Sequence, residues 1–361
     1  MIGERVKLAR EACGLTQDVL SDLSGVPLGT LGQIEVGRIF EPSGETVESI
    51  AGATGFPVSF FYRGPLPDLP DGNYRKFARG TSKAEKQVRA LTRQMVEIVR
   101  DADADESIRL PDVEIASIPE LGSIEEIEYH IGDVRASLRV GTRDPIPHLM
   151  RAVERAGVVV LRLPVAMEDH DGFSVWPYFG LRGSRPVIVA TGDRSGDRDR
   201  FTVAHELGHL ILHSARRGVN PGQAEDEANR FAGALLIPEA IAVEALCRPL
   251  TLDVLMGVKA TYGVSIQALV MRAFDLRVIN ATQKASIFKQ LSKRGWRTEE
   301  PVRVDREQPI LLPEILDRLG GEGTVQERAA RMGLSPFSFS TLVALIAPAP
   351  QKNPAQSDQN A

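Results

Sequence analysis

The chain has 361 residues, 43% of them hydrophobic and 25% charged, with a formal net charge of −5 at pH 7. That length suits two or three domains with buried cores, and the mild acidity excludes a protein whose whole surface is built to coat nucleic acid. With only Cys13 and Cys247, no signal-peptide run and no apolar stretch near the ~20 residues of a membrane span, a cytoplasmic protein without disulfides or a membrane partner is expected.

Residues 1–62 read as short helices joined by tight turns. Thr16 and Pro27 stand where helices begin, and Gly14, Gly25 and Gly37 stand where they end. A proline-rich connector, GPLPDLPDG (64–72), leads to the helical stretch TSKAEKQVRALTRQMVEIVR (81–100) and the acidic DADADES, together expected to form a solvated linker. Arg75, Lys76, Arg79, Lys83, Lys86, Arg89 and Arg93 give this linker a basic helix, either a solvated face or a contact to phosphates. Helices are expected around 123–140 and at 145–156. VVVLRLP (158–164), GFSVWPYFGLRG (172–183) and PVIVAT (186–191) are β-branched or aromatic runs separated by Gly, Pro and Asp, and read as strands. Helical patterns resume from 198 to about 346, ahead of a low-complexity tail at 347–361 that is expected to be disordered. Within them, LDVLMGVKATYGVSIQALVMRAF and VQERAARMGLSPFSFSTL have helix-turn-helix cadence but read as ordinary packed helices.

The chemistry concentrates in RFTVAHELGHLILH (201–214), which holds three of the chain's six histidines. His205 and His209 are four apart, so a helix puts both imidazoles on one face with Cβ atoms ~5–6 Å apart. Two neutral imidazoles at that separation can share one Zn²⁺ at ~2.0–2.1 Å. Glu206 then points beside the metal. This is the H-E-x-x-H arrangement of zinc peptidases, in which the histidines bind and the glutamate takes a proton from the attacking water. The bland alternative is a buried helix with satisfied core histidines. Against it, a Glu206 among Phe201, Val203, Ala204, Leu207 and Leu210 would be costly without a function.

Zinc needs a third protein ligand. His213 continues the series but lies ~12 Å along the helix from His205, out of reach of a shared tetrahedral site. In AEDEANRFAGALLIP (224–238), taken as a helix, Glu227 shares the inward face with Phe231, Ala234 and Leu235. A carboxylate there needs a cation, and zinc is the nearest; the alternative is a salt bridge to Arg230 or Arg200. Glu225 faces a mixed side, and Asp226 shares its face with Asn229 and Arg230, so both read as solvated. The expected set is His205, His209 and Glu227.

DGFSVW, PVIVAT, DRDRFTVAHELGHLILH and EDEANRFAGALLIP together resemble the ImmA/IrrE family of bacterial zinc metallopeptidases, closely over 171–238 and loosely in the flanks. The resemblance implies a zincin-like α+β domain, zinc on His205, His209 and Glu227, and Glu206 as general base. It also implies a protein substrate, a helix-turn-helix repressor cleaved or inactivated in phage, mobile-element or stress regulation.

Residues 1–62 resemble the lambda-repressor-like (Cro/C1, Xre) helix-turn-helix, through LTQDVLSDLSGVPLGTLGQIEVGR. That resemblance implies a recognition helix over Pro27–Glu35. Gln17 would meet the DNA backbone, with Leu28, Gly29, Thr30 and Gln33 at the major groove of an operator. Leu28 and Gly29 cannot hydrogen-bond a base edge, which leaves Thr30 and Gln33 as readers. The module is acidic too: Arg5, Lys7, Arg10 and Arg38 face Glu4, Glu11, Asp18, Asp22, Glu35, Glu41, Glu45 and Glu48. A module that docks a partner protein is the alternative.

The expected architecture is thus a multidomain α+β chain: helix-turn-helix (1–63), linker with basic helix (64–115), zinc metallopeptidase domain with a small sheet (116–245), helical C-terminal region (246–346) and tail (347–361). The expected function is a cytoplasmic regulatory metallo-endopeptidase. The rival is a DNA-binding regulator or antitoxin of a toxin–antitoxin operon whose zinc domain senses, with a toxin as partner. A homodimer fits either.

Overall fold

The computed structural model describes residues 2–67, 69, 82–167, 170–179, 183–216, 218–246 and 249–344. Arg75, Lys76, Arg79, Cys247 and the tail at 347–361 lie outside the described residues. The chain opens with α1 (Ile2–Ala12), α2 (Gln17–Ser24), α3 (Leu28–Glu35), α4 (Gly44–Thr54) and the single turn α5 (Val58–Phe61). Local chemistry sets these ends. The Thr16 side chain accepts from the Val19 amide to start α2, and Gly25, at φ 70°, ends it in the left-handed region that favours glycine. Pro27 precedes α3, fixing its entry.

The next helix, α6 (Lys83–Ala104), corrects the linker reading. Val88, Leu91, Met95, Ile98, Val99 and Ala102 are all buried. Their three- and four-residue spacing makes an apolar stripe along a helix whose remaining positions are largely charged. This buried stripe, not the charged positions, decides where the helix goes. It packs on α1, where the buried Arg5 guanidinium meets Glu97 at 2.8 Å.

After a 3₁₀ turn (Ile124–Glu126), α7 (Ile127–Ser137) and α8 (Leu149–Arg155) are shorter than the runs read from sequence. The strands are β1 (Val159–Leu163), β2 (Gly172–Val175) and β3 (Val187–Thr191), ordered β1–β3–β2. β3 pairs parallel with β1, Val159 opposite Val187, and antiparallel with β2, Phe173 opposite Val189. The helices that follow are α9 (Gly196–His213), α10 (Pro221–Leu236), α11 (Glu239–Leu246), α12 (Leu252–Tyr262), α13 (Ile266–Asp275), α14 (Ala281–Lys293), α15 (Leu311–Gly320), α16 (Val325–Arg331) and α17 (Pro336–Ala344). The chain is a multidomain α+β protein, as expected. No single helix among the described residues is long and apolar enough to cross a membrane.

Both faces of the sheet are covered, so apolar residues dominate its strands, with Arg162, Ser174 and Thr191 as buried polar exceptions. Val159, Leu161, Phe173, Val175, Val187 and Val189 join a core with α1–α6 and α15–α17, while Val160 and Ile188 join a second core with α7–α14. The C-terminal helices therefore divide between two cores. Two buried carboxylates stitch the division. Glu154, in α8, accepts from the Ile310 and Leu311 amides at the start of α15 (2.9 and 3.0 Å). Glu307, just ahead of α15, accepts in return from the Met150 amide in α8 at 2.7 Å and pairs with Arg200.

Candidate metal centre

α9 is the helix that the HELGH pentapeptide required. Asp197 and Asp199 occupy its first turn, where the helix dipole favours negative charge, and Val203, Ala204, Leu207, Leu210 and Ile211 are buried. α10 crosses it closely at Gly208, where a Cβ would stand 2.9 Å from the Phe231 ring. That close approach brings the α10 side chains within reach of the histidines.

His205 Nε2 and His209 Nε2 lie 3.1 Å apart. The carboxylate that reaches them is Glu225, whose Oε2 is 3.3 Å from His205 Nε2 and 3.9 Å from His209 Nε2. The donor atoms of these three residues all lie within 4.8 Å of one another. Ligands held at ~2.0–2.1 Å around a tetrahedral zinc are separated by roughly 3.3–3.4 Å, so this donor set fits that ion in type and spacing. His205 Nδ1 bonds Asn229 Oδ1 at 3.0 Å.

The expected third donor, Glu227, is elsewhere. Its carboxylate is taken by Arg216 (2.6 Å), Gln223 (2.7 Å) and His213 Nε2 (2.9 Å). The inward-facing carboxylate does have a cation, as its burial required, but the cation is a guanidinium from the loop after α9. Two residues along a helix is ~200° of rotation, so Glu225 and Glu227 point to different sides of α10. Glu225, half-exposed, holds the side facing His205, and Asn229 lies one turn on from it rather than merely in solvent. His213 contacts the imidazole pair through His209, Nδ1 to Nδ1 at 2.9 Å.

Glu206 is buried behind this cluster. Ser174 Oγ donates to its Oε2 at 2.9 Å. Sequence reading missed Ser174, although the alternation of β2 signals it: Phe173 and Val175 face one core, so the polar residue between them must face α9. Desolvation pushes the Glu206 carboxyl up to about 7, against the opposing pull of His205 and Ser174. Burial lowers the basicity of His205, but Glu225 and Glu206 outweigh it and raise the ring above its ordinary value. Burial also raises Glu227, yet Arg216, His213 and Gln223 hold it below the usual carboxylate range.

Residues 153–274 match the IrrE N-terminal-like domain of a peptidase family, and residues 6–61 match the helix-turn-helix family. The chain joins a helix-turn-helix module to an IrrE-type domain. Both matches bear out the resemblance read from the sequence, while no curated protein matches the chain. The IrrE-type domain carries the donor cluster at the crossing of α9 and α10. A cleft of about 1520 Å³ reaches Asn229 and is also lined by Phe201, Thr202, Met271, Phe288 and Glu300, while His205, Glu206, His209 and Glu225 do not line it. On the helix-turn-helix module, Leu28, Gly29 and Gln33 are exposed and Thr30 is half-buried. The Gln17 amide nitrogen is bonded to Glu35 at 2.7 Å, the same carboxylate that clamps Arg10.

Proposed function

We propose that the chain is a cytoplasmic regulatory zinc metallo-endopeptidase that inactivates a helix-turn-helix repressor by cleavage and carries its own DNA-binding module. The observation that supports this reading is Glu206. It is a carboxyl only 5% exposed, held on one oxygen by Ser174, with no lysine or arginine paired to it among the described residues. Such a group is poised to exchange a proton near neutral pH.

His205, His209 and Glu225 would hold the zinc, which when bound would supply a Lewis acid to polarise a peptide carbonyl and acidify water. The protein's own part is proton handling. Glu206 takes the proton of the attacking water at the oxygen that Ser174 leaves open and returns it to the leaving amine, while Ser174 fixes the carboxylate's orientation. The cleft beside Asn229 admits an extended segment of a protein substrate. Operator contacts fall to Thr30 and Gln33, with Leu28 and Gly29 adding only shape, so DNA binding is modest.

Purifying Glu206→Gln with its trapped partner tests the reading. This variant should keep zinc and fold while losing cleavage. Induction of the repressed genes that survives Glu206→Gln but not His205→Ala would make the zinc domain sensory, as in a regulator or antitoxin.

A further inference from the structure

We propose that Glu227 and His213 are positioning residues, forming a relay anchored on Arg216 that places the proton of His209 on Nδ1 and turns the Nε2 lone pair toward the donor set. The relay rests on the reading of the metal site, although its first readout needs no metal.

Hydrogen-bonding capacity assigns each proton in turn. An ionised carboxylate only accepts hydrogen bonds, and Arg216 and Gln223, both donors, keep Glu227 in that state. His213 Nε2, 2.9 Å from Glu227 Oε2, must therefore carry the proton. A neutral imidazole has one proton, so His213 Nδ1 can only accept. Its partner is His209 Nδ1 at 2.9 Å, which must then be the donor. The His209 proton is thereby committed to Nδ1, and Nε2 presents its lone pair toward His205 Nε2 at 3.1 Å.

On the other ring, Asn229 Oδ1 takes the His205 Nδ1 proton in the same way. With both rings neutral, two nitrogen lone pairs and the Glu225 carboxylate converge on one point, an arrangement suited to a cation. In the other tautomer, an Nε2–H on His209 would point at His205 and block the site. An ion pair joining Glu227 to Arg216 would stitch α10 to the loop without help. What it would not explain is His213 standing between Glu227 and His209 with both ring nitrogens bonded, its side chain only 8% exposed.

The test uses full-length, metal-free protein labelled with ¹⁵N-histidine, in which two-bond correlations report each ring's tautomer. His209 should be the Nδ1–H form in the parent chain and lose that preference in Glu227→Ala and His213→Phe. Zinc affinity should fall ~10–100-fold in both. His213→Gln, whose amide carbonyl can accept, should restore the tautomer and most of the affinity, whereas His213→Lys, with donors only, should not. Folded Glu227→Ala with an unchanged His209 tautomer and unchanged zinc affinity would overturn the relay. If Glu227→Ala does not fold, the contrast between His213→Gln and His213→Lys decides in its place. A parent chain that binds no zinc would sink the metal reading, and the tautomers would still decide the relay.

Discussion

Gly208 on α9 stands so close to Phe231 on α10 that any added Cβ would lie 2.9 Å from the ring. This contact sets the separation of the two helices that contribute the donor cluster. Gly208→Ala gains ~1 kcal/mol of helix propensity but wedges the helices apart at a cost of ~1–3 kcal/mol. Thermal stability should therefore change little or fall modestly. Zinc retention should fall further, because Glu225 and Asn229 retreat from His205. Calorimetric titration with zinc alongside thermal melts checks the split, and unchanged affinity would show that the crossing is not what sets the site.

The placement of Glu225 gives the sharpest contrast among neighbouring carboxylates. Glu225→Ala should weaken zinc binding more than ~100-fold, beyond the range expected for residues that merely support a ligand. Asp226→Ala, exposed and beside it, should be neutral, and Glu227→Ala should fall between them. A larger loss from Glu227→Ala than from Glu225→Ala would return the third ligand to Glu227.

Ser174 and Glu206 make a prediction about pH. The Ser174 hydroxyl lowers the Glu206 pKa, opposing the desolvation that carries it up to about 7. Removing the donor in Ser174→Ala must raise that pKa further. The acid limb of the cleavage profile should move to higher pH in Ser174→Ala. Glu206→Gln should lose ~10²–10⁴-fold in rate at every pH. An acid limb that stays in place would mean another group controls it.

Glu154 carries a stability prediction far from the chemistry. Burial raises its carboxyl to about 7, against the Ile310 and Leu311 amides that favour the charged form. A folded-state pKa above the unfolded one means that protonation favours the fold, so this contribution is complete below ~4.5 and is lost as pH rises through about 7. Denaturant titrations should show Glu154→Gln lacking this component of the pH dependence between those limits. Parallel curves for parent and variant would rule it out.

DNA binding should be mainly electrostatic. Lys83 and Lys86 are exposed on α6, which packs on α1, and α3 itself offers no basic side chain. Neutralising Lys83, Lys86 and Arg89 should flatten the salt dependence of affinity by roughly one in slope for each phosphate that is no longer neutralised. An unchanged slope, with binding abolished by Gln33→Ala alone, would point to conventional base reading.

Features that depend on short spacings were legible in the amino-acid sequence. Four residues between His205 and His209 put both imidazoles on one helix face. Thr16, Gly25 and Pro27 set the helix-turn-helix ends, and runs rich in β-branched residues marked β1 and β3 as strands. Which distant groups meet was settled only by the fold. That Glu225 rather than Glu227 faces the histidines goes with the pairing of Glu227 to Arg216, whose loop position no periodicity encodes. Ser174 and Asn229 acquired their roles from strands and helices brought together across the core. α6 became a core helix because other elements supplied the apolar surface its stripe needed. Local geometry follows from fixed backbone repeats, whereas the partner of a buried charge depends on where the rest of the chain places its counter-charge.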